Sequence, residues 1–314
     1  SIAVLPFDNL SADPTQDYFA DGMTEDLITD LSKISGIFVI ARNSSWAYKG
    51  KATKVQKVAE ELGVRYVLEG SVQREGDQLR INAQLIDAIG GQHLWADRYD
   101  GQIGDVFALQ DKVIQRIVTA LAVEFAPATA TQIGAGETDV PQAYDELLQG
   151  WDHYHRETAE EVTKAISNFE KAIELDPGYG RAHAALAAAY WWRVNLSWDY
   201  SAGDEFESDY EHMIEHLALA LEKPTSVAYR VSAEYLAQQG HFSEALGQID
   251  KAMILGPSES DSYISKARIL IAMGRAEEAE TATRLAMRLN PQYPPDYLRV
   301  LGRALFHQRR YEEA

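Results

Sequence analysis

The chain has 314 residues, 46% of them hydrophobic, and a formal net charge of −19. This length allows about two domains, and the apolar content is enough for packed cores, which excludes wholesale disorder. An acidic surface repels phosphate groups, so binding of nucleic acid or of an anionic membrane by this chain is disfavoured. Cysteine is absent, which excludes disulfides and thiolate chemistry. No apolar run approaches the ~20 residues of a membrane span and no signal-peptide pattern opens the chain, so we expect a cytoplasmic location.

The first 126 residues carry the pattern of an α/β domain. Short apolar runs alternate with amphipathic segments, which is typical of βαβ units, and glycines at 36 and 63 end two of these segments. A turn at 75–78 between alternating segments indicates a hairpin, so we expect a mixed sheet. The predicted strands are 2–7, 37–41, 66–74, 79–87 and 92–99, and the predicted helices are 17–34, 55–62 and 105–125.

Residues 225–291 carry a 34-residue period, within a helical region of 142–314 that follows a linker at 127–141. The recurring positions are Tyr229, Gly240, Ala245, Ala252 and Pro257, which return as Tyr263, Gly274, Ala279, Ala286 and Pro291. This period predicts about five stacked helix-turn-helix units that form a right-handed superhelix, with extra residues at 194–208. The fifth unit is incomplete at Ala314 and the chain begins at Ser1 without a methionine, so we expect a piece excised from a longer protein.

The repeats predict a groove that binds a protein or peptide, because stacked units of this kind present a continuous concave surface. The first helices of the regular repeats supply the predicted groove residues Arg230, Glu234, Gln238, Lys266 and Arg268. The irregular segment 194–222 has eight acidic residues and no Lys or Arg, so a basic partner is expected there. Its predicted contact residues are the aromatics Trp198, Tyr200, Phe206 and Tyr210. The alternative is a solvated loop whose aromatics pack back onto the repeats.

A metal site is the first chemical alternative. His212, Glu215 and His216 match the H-x-x-E-H pattern, in which two histidines hold zinc and the glutamate activates water. The competing interpretation is a solvent-facing helix, and it is favoured because no third ligand has a matching context. We therefore assign no metal, cofactor or catalytic residue, and a metal-dependent hydrolase remains the disfavoured alternative.

Two polar clusters of the α/β domain also admit two interpretations. Asp21, Glu25 and Asp26 are candidates for acid-base chemistry, but acidic residues near a helix start also complement its dipole. The segment 42–45, Arg-Asn-Ser-Ser, offers donors to an anion or simply begins a polar loop.

The repeats resemble the tetratricopeptide (TPR) family over roughly 142–314. Four segments of residues 1–126 stand together: DYFADGMTEDL at 17–27, IARNSS at 40–45, ELGVRYVLEGS at 61–71 and LWADRYDG at 94–101. With these segments, residues 1–126 resemble the domain, similar to the amino-terminal domain of TolB, that follows the catalytic domain in some bacterial class III adenylate cyclases with TPR repeats.

This resemblance implies a non-catalytic interaction and regulatory module of a signalling protein, downstream of an adenylate cyclase domain. The same domain occurs in transcriptional regulators with a winged-helix amino terminus, so a sensor module of such a regulator is the alternative. The sequence sets no oligomeric state.

Overall fold

The structure is a computed structural model that describes residues 1–34, 36–121, 138–196 and 203–314. It divides into two compact units. The first unit joins Ser1–Ile133 to Gly256–Ala314, and the second is Gly134–Leu255. The domain boundaries expected at 126 and 142 therefore stay a prediction, since the last helices of the chain pack with the α/β part.

The α/β part is built on a mixed five-stranded sheet with the order β1-β3-β4-β5. The strands are β1 (Ile2–Val4), β2 (Asp8–Asn9), β3 (Tyr66–Glu75), β4 (Gln78–Asp87) and β5 (Gln92–Gln102). Both β1 and β2 run parallel to β3, whereas β3, β4 and β5 form an antiparallel meander. The two-residue turn between β3 and β4 fits Gly76, whose φ of 58° is of the kind that hairpin turns require. The predicted hairpin and mixed sheet are confirmed.

Four helices complete this part. They are α1 (Asp17–Ser32), α2 (Arg42–Trp46), α3 (Val55–Leu62) and α4 (Val106–Ala120). On one face of the sheet, α3 packs its Val58 and Leu62 with Val67 of β3 in a common apolar cluster. On the other face, α4 lies against β4 and β5 and also contacts α1. A Cβ at Gly101 of β5 would meet Leu109 of α4 at 3.0 Å, which shows how closely that helix approaches.

The strand predicted at 37–41 is reduced to one bridge, in which Val39 lies beside Ile2. The N–H of Ile2 donates to the carbonyl of Phe38 at 2.8 Å, and the N–H of Ile40 donates to the carbonyl of Ile2 at 3.0 Å. The pairing ends there because the N–H of Ala41 turns to the carbonyl of Leu289 at 2.8 Å, and α2 begins at the next residue. The end of the helix predicted to 125 and most of the linker lie outside the described residues.

The other helices lie in the described residues from 138 onward. In the second unit the helices are α5 (Pro141–Tyr154), α6 (Ala159–Leu175), α7 (Gly180–Leu196), α8 (Gly203–Ala220), α9 (Ser226–Gln238) and α10 (Phe242–Leu255), and in the first unit they are α11 (Ser260–Ala272), α12 (Ala276–Leu289) and α13 (Pro295–His307). They pack as hairpins, α5 on α6, α7 on α8, α9 on α10 and α11 on α12. The predicted fold class, an α/β domain followed by helical repeats, is confirmed.

The recurring residues take equivalent places in two hairpins. Gly240 and Gly274 follow α9 and α11 with φ of 81° and 76°, the left-handed conformation that favours glycine at a helix end. The next N–H in each case closes the turn, from His241 to the carbonyl of Leu236 at 2.9 Å and from Arg275 to that of Leu270 at 2.8 Å. The recurring alanines of α10 and α12 are fully buried, because only small residues let the two helices approach.

None of the helices in the described part of the chain is long and apolar enough to cross a membrane.

Candidate functional site

The predicted groove residues Arg230 and Glu234 lie one turn apart on α9 and take part in a network with α7. The indole Nε1 of Trp191 on α7 donates to Glu234 Oε2 at 2.7 Å, and Arg230 Nη1 lies 3.4 Å from Glu234 Oε1. All three side chains are mostly buried. The network therefore fixes α7 against α9, and it places one carboxylate between an indole and a guanidinium at the surface of the repeats.

The remaining predicted groove residues lie at more exposed positions. Gln238 is exposed at the end of α9, Lys266 is half-buried on α11, and Arg268 is exposed on the same helix. Arg268 forms an ion pair with Asp296 of α13, so its guanidinium also links two helices of the repeats. The structure brings Arg230 and Glu234 into contact, and within the first unit it places Lys266 and Arg268 on one helix.

Of the predicted aromatic contacts, Tyr210 is described in full. It lies on α8, its ring centroid is 5.9 Å from that of Tyr235, and its hydroxyl accepts a hydrogen bond from Gln239 Nε2 at 2.9 Å. This aromatic packs back onto α9, as the alternative interpretation of the segment expected. Trp198 and Tyr200 lie outside the described residues, as does the side chain of Phe206.

The acidic residues of α8 have two kinds of environment. Asp209 is buried and accepts from Arg193 of α7, with its Oδ2 at 2.8 Å from Nε, so this acid stabilises a helix hairpin. Glu211 and Glu215 are exposed on the outer side of the helix. Acidic groups thus remain accessible along α8, and a basic partner for them stays a prediction.

The H-x-x-E-H histidines do not converge on a metal geometry. Nδ1 of His216 lies 3.0 Å from Nδ1 of His183, whose Nε2 is 3.0 Å from the carbonyl of Pro177. A neutral His183 that donates through Nε2 must accept at Nδ1, so the Nδ1–H of His216 is the donor. Burial, and the neighbouring His183, lower the pKa of His216 to about 4. In the described part of the chain, no three His, Asp or Glu side chains form a group suited to a metal ion.

In the acidic cluster of α1, Asp21 and Glu25 are ion-paired, whereas Asp26 Oδ2 lies 3.5 Å from Gln110 Nε2. Asp21 pairs with Lys49, and Glu25 Oε2 lies 2.9 Å from Nε of Arg42, whose guanidinium also stacks on Trp46 at 4.0 Å from the ring centroid. Burial raises the pKa of Asp21 above its ordinary value, although the Lys49 ammonium opposes this shift. These pairs tie α1 to α2 and to the residues just after it.

The segment 42–45 is a joint between the α/β part and the last repeats. Ser44 and Ser45 are fully buried, and Ser44 Oγ donates to Asn290 Oδ1 at 2.5 Å. Ser44 Oγ also accepts from the backbone N–H of Gln292 at 2.9 Å. The hydroxyl of Ser44 is therefore committed to the chain after α12, and the anion-binding interpretation of this segment is wrong at Ser44.

A cleft on the sheet was missed by the sequence analysis. It has a volume of about 930 Å³ and is lined by residues that follow β1 and α2 and by the middle of β3, β4 and β5. The lining comes from five separate stretches of sequence. Only the alternation of polar and apolar residues in β3 and β4 indicated a polar face of the sheet there.

The fold and these contacts define a class of protein in which a small α/β domain precedes stacked helical hairpins. Residues 231–296 match the tetratricopeptide repeat family, which confirms the repeat assignment there. Residues 1–116 match the second domain of the HilA/YgeH-like transcriptional regulators.

Among curated proteins, the chain is similar to one named "Putative adenylate cyclase 3" from Rhizobium meliloti (strain 1021). The two are 54% identical over 188 residues, which is 60% of this chain and 32% of that protein. The match thus spans about a third of the relative's length.

Solved structures similar to parts of the chain include two that illustrate the helical repeats. Pseudomonas aeruginosa pilF has a TM-score of 0.42 and 20% identity, over 55% of this chain and 71% of its own. The thermophilic TPR protein TTC0263 of Thermus thermophilus has a TM-score of 0.40 and 17% identity, over 63% of this chain and 95% of its own.

Proposed function

We propose that this chain is a non-catalytic interaction and regulatory module of a bacterial signalling protein whose longer form carries an adenylate cyclase catalytic domain. The proposal is supported above all by the 54% identity to a relative named "Putative adenylate cyclase 3", together with the tetratricopeptide repeats of residues 231–296. The resemblance of residues 1–126 to the TolB amino-terminal domain is part of the same proposal, as is a cytoplasmic location.

The proposed mechanism is the binding of a protein or peptide by the repeats. In the second unit the contact residues are Arg230, Glu234, Gln238 and Tyr210, and in the first unit they are Lys266 and Arg268. The Trp191–Glu234–Arg230 network supports this choice, because its mostly buried, hydrogen-bonded charges are already positioned and would lose little entropy on binding. Trp198, Tyr200 and Phe206 are further contact residues of this proposal.

A peptide-binding measurement tests this mechanism. Peptides selected against the purified chain from a displayed random library are titrated by calorimetry into the wild type and into Glu234→Gln and Arg268→Gln. Glutamine at 234 still accepts from the Trp191 indole, so this variant removes charge and keeps the local packing. We expect at least one of the two substitutions to weaken binding about tenfold.

Lys112→Gln is the matched control for the peptide experiment, because Lys112 is exposed on α4 of the α/β part. It should leave the affinity unchanged. Failure of the library to yield any peptide, or selected peptides whose affinity ignores both groove substitutions, would contradict the proposal.

A second measurement tests the signalling context. The full-length gene product is assayed for conversion of ATP to cyclic AMP, and the same assay is run on this chain alone with Mg²⁺ or Mn²⁺. We expect cyclic AMP from the former and none from the latter. Turnover by the chain alone would contradict its assignment as a non-catalytic module.

The alternative function is a sensor module of a winged-helix transcriptional regulator, and the match of residues 1–116 to a HilA/YgeH-like regulator domain favours it. The two functions differ in what the full-length product does. Retardation of DNA from its own promoter in a gel, without cyclic AMP formation, would support the regulator and exclude the cyclase context.

A further inference from the structure

The strongest unassigned feature is the cleft on the sheet of the α/β part. Its floor is the face of β3, β4 and β5 that α3 leaves uncovered, and its walls are the residues after β1 and after α2. Its volume of about 930 Å³ lies in the range of small-molecule sites, which is about 300–1,000 Å³.

One face of the sheet changes character along its length. Near the start of β3 it is apolar, where Val67 packs with Val58 and Leu62 of α3. Two residues further along, Glu69 lies opposite Gln84, and the next row on this face pairs Ser71 with Asn82. Because α3 has only eight residues, it covers the apolar row and stops. The polar rows beyond it form the floor of the cleft.

The floor presents hydrogen-bonding groups that the strands hold in place. Gln84 Nε2 donates to Glu69 Oε2 at 3.0 Å, and Asn82 Nδ2 donates to Ser71 Oγ at 3.0 Å. Each amide keeps a second N–H and a carbonyl oxygen, and Ser71 keeps its hydroxyl proton. All four side chains are half-buried. This arrangement suits a small polar ligand, since donors and acceptors are fixed before it binds.

The charges of the lining have both signs. Lys51, on the wall that follows α2, forms no ion pair within the described residues, and Arg98 extends the Ser71–Asn82 row on β5. Arg98 Nε lies 3.3 Å from Asp100 Oδ2. This ion pair engages few of the five N–H donors of the Arg98 guanidinium. Asp8, Glu69 and Asp97 supply carboxylates. A ligand that carries both an anionic and a cationic group would find a partner for each.

We propose that this cleft binds a free α-amino acid, with its carboxylate at Lys51 and Arg98, its ammonium at Glu69, and its side chain over the amides of Asn82 and Gln84. The assignment gives the α/β part a small-molecule input of its own. It does not depend on the protein-interaction function, because the cleft is built wholly from residues of the α/β part.

Calorimetric titration of the full chain with each of the twenty amino acids tests this proposal. We expect at least one to bind with a Kd below about 1 mM. Its α-keto acid and its decarboxylated amine, which each lack one charge, should bind about tenfold more weakly. Arg98→Gln and Lys51→Gln should each weaken binding of the amino acid by about the same factor.

Lys112→Gln, on the opposite side of the sheet, is the control and should bind like the wild type. Circular dichroism and an unchanged melting temperature without ligand show that a variant is folded. The proposal is overturned if none of the twenty binds, if the keto acid or the amine binds as tightly as the amino acid, or if neither folded cleft variant loses affinity.

Discussion

Replacement of Ser44 by alanine should destabilise the contact between the α/β part and the last repeats. The hydroxyl donates to Asn290 Oδ1 at 2.5 Å and accepts from the N–H of Gln292 at 2.9 Å. Alanine removes both hydrogen bonds and changes little else. Helix propensity even favours the substitution, because alanine is the better helix former. Any loss of stability therefore belongs to the joint and not to α2.

The expected loss follows from the burial of the partners. Asn290 is fully buried, so its orphaned carbonyl oxygen costs about 1–3 kcal/mol of desolvation. The missing hydroxyl leaves a space smaller than the roughly 10–15 Å³ that a water molecule needs, so water does not replace it. Gln292 is exposed and its N–H can reach solvent, so this second bond adds only about 0.5–1 kcal/mol. The two contributions together give about 1.5–4 kcal/mol.

Urea unfolding of the full chain measures this loss. Ellipticity at 222 nm reports the helices, and tryptophan fluorescence includes Trp46, two residues from the joint. We expect the variant to unfold at a lower urea concentration than the wild type by both signals. Ser32→Ala is the matched control: Ser32 is also buried, but its hydroxyl donates only to the carbonyl of Thr29 in its own helix.

A double-mutant cycle completes the experiment. If Ser44 and Asn290 act as a pair, Ser44→Ala combined with Asn290→Ala should cost less than the sum of the single changes by about 1 kcal/mol or more. The reasoning is refuted if Ser44→Ala is no more destabilising than Ser32→Ala, or if the two substitutions at the joint are additive.

Three further predictions concern the helical repeats. Gly150→Ala should lower stability by about 1–3 kcal/mol in a thermal melt, because its Cβ would lie 2.3 Å from the ring of Phe169; an unchanged melting temperature would contradict this packing. Because the pKa of His216 is lowered, its contribution to stability is complete above pH ~6.5 and is lost as the pH falls toward 4. Allowing for partial exposure, His216→Asn should reduce the stability that the wild type loses between pH 7 and pH 5 by about 1 kcal/mol in urea titrations. Equal losses in the two proteins would refute the role of the pair with His183. The hydroxyl of Thr225 caps α9 by accepting the backbone N–H of Ala228 at 3.1 Å. Thr225→Ala should therefore lower the free energy of unfolding by about 1 kcal/mol in the same titration, and an unchanged value would contradict the role of the cap.

The repeats were predictable because their signals are local. A glycine in the left-handed conformation and small residues at a helix crossing are needed at fixed distances along the chain, so Gly240 and Gly274 reveal the period without knowledge of other contacts. The hairpin around Gly76 was predictable for the same reason. In each case the glycine that marks the turn in the sequence is also the residue whose positive φ forms the turn in the structure.

The site residues were harder to predict because their partners are distant in sequence. Ser44 meets Asn290, which lies 246 positions later, and no local pattern distinguishes this contact from an anion site. Glu234 appeared as a groove residue from its place on a first helix, but its hydrogen bond comes from Trp191 of another hairpin. The cleft is less predictable still, since its floor and walls come from strands and loops that only the folded sheet brings together.

The joint and the cleft depend on one short stretch of chain. Ala41 and Ser44 fix its start to the residues at the end of α12, whereas Tyr48 and Lys51 form a wall of the cleft. Tyr48 is buried and its hydroxyl donates to Glu61 of α3 at 2.6 Å, so this stretch is held at both ends. A ligand that contacts Lys51 therefore touches a segment that the repeats also hold. The same stretch of chain thus contributes both the hydrogen-bonded joint with the last repeats and one wall of the cleft.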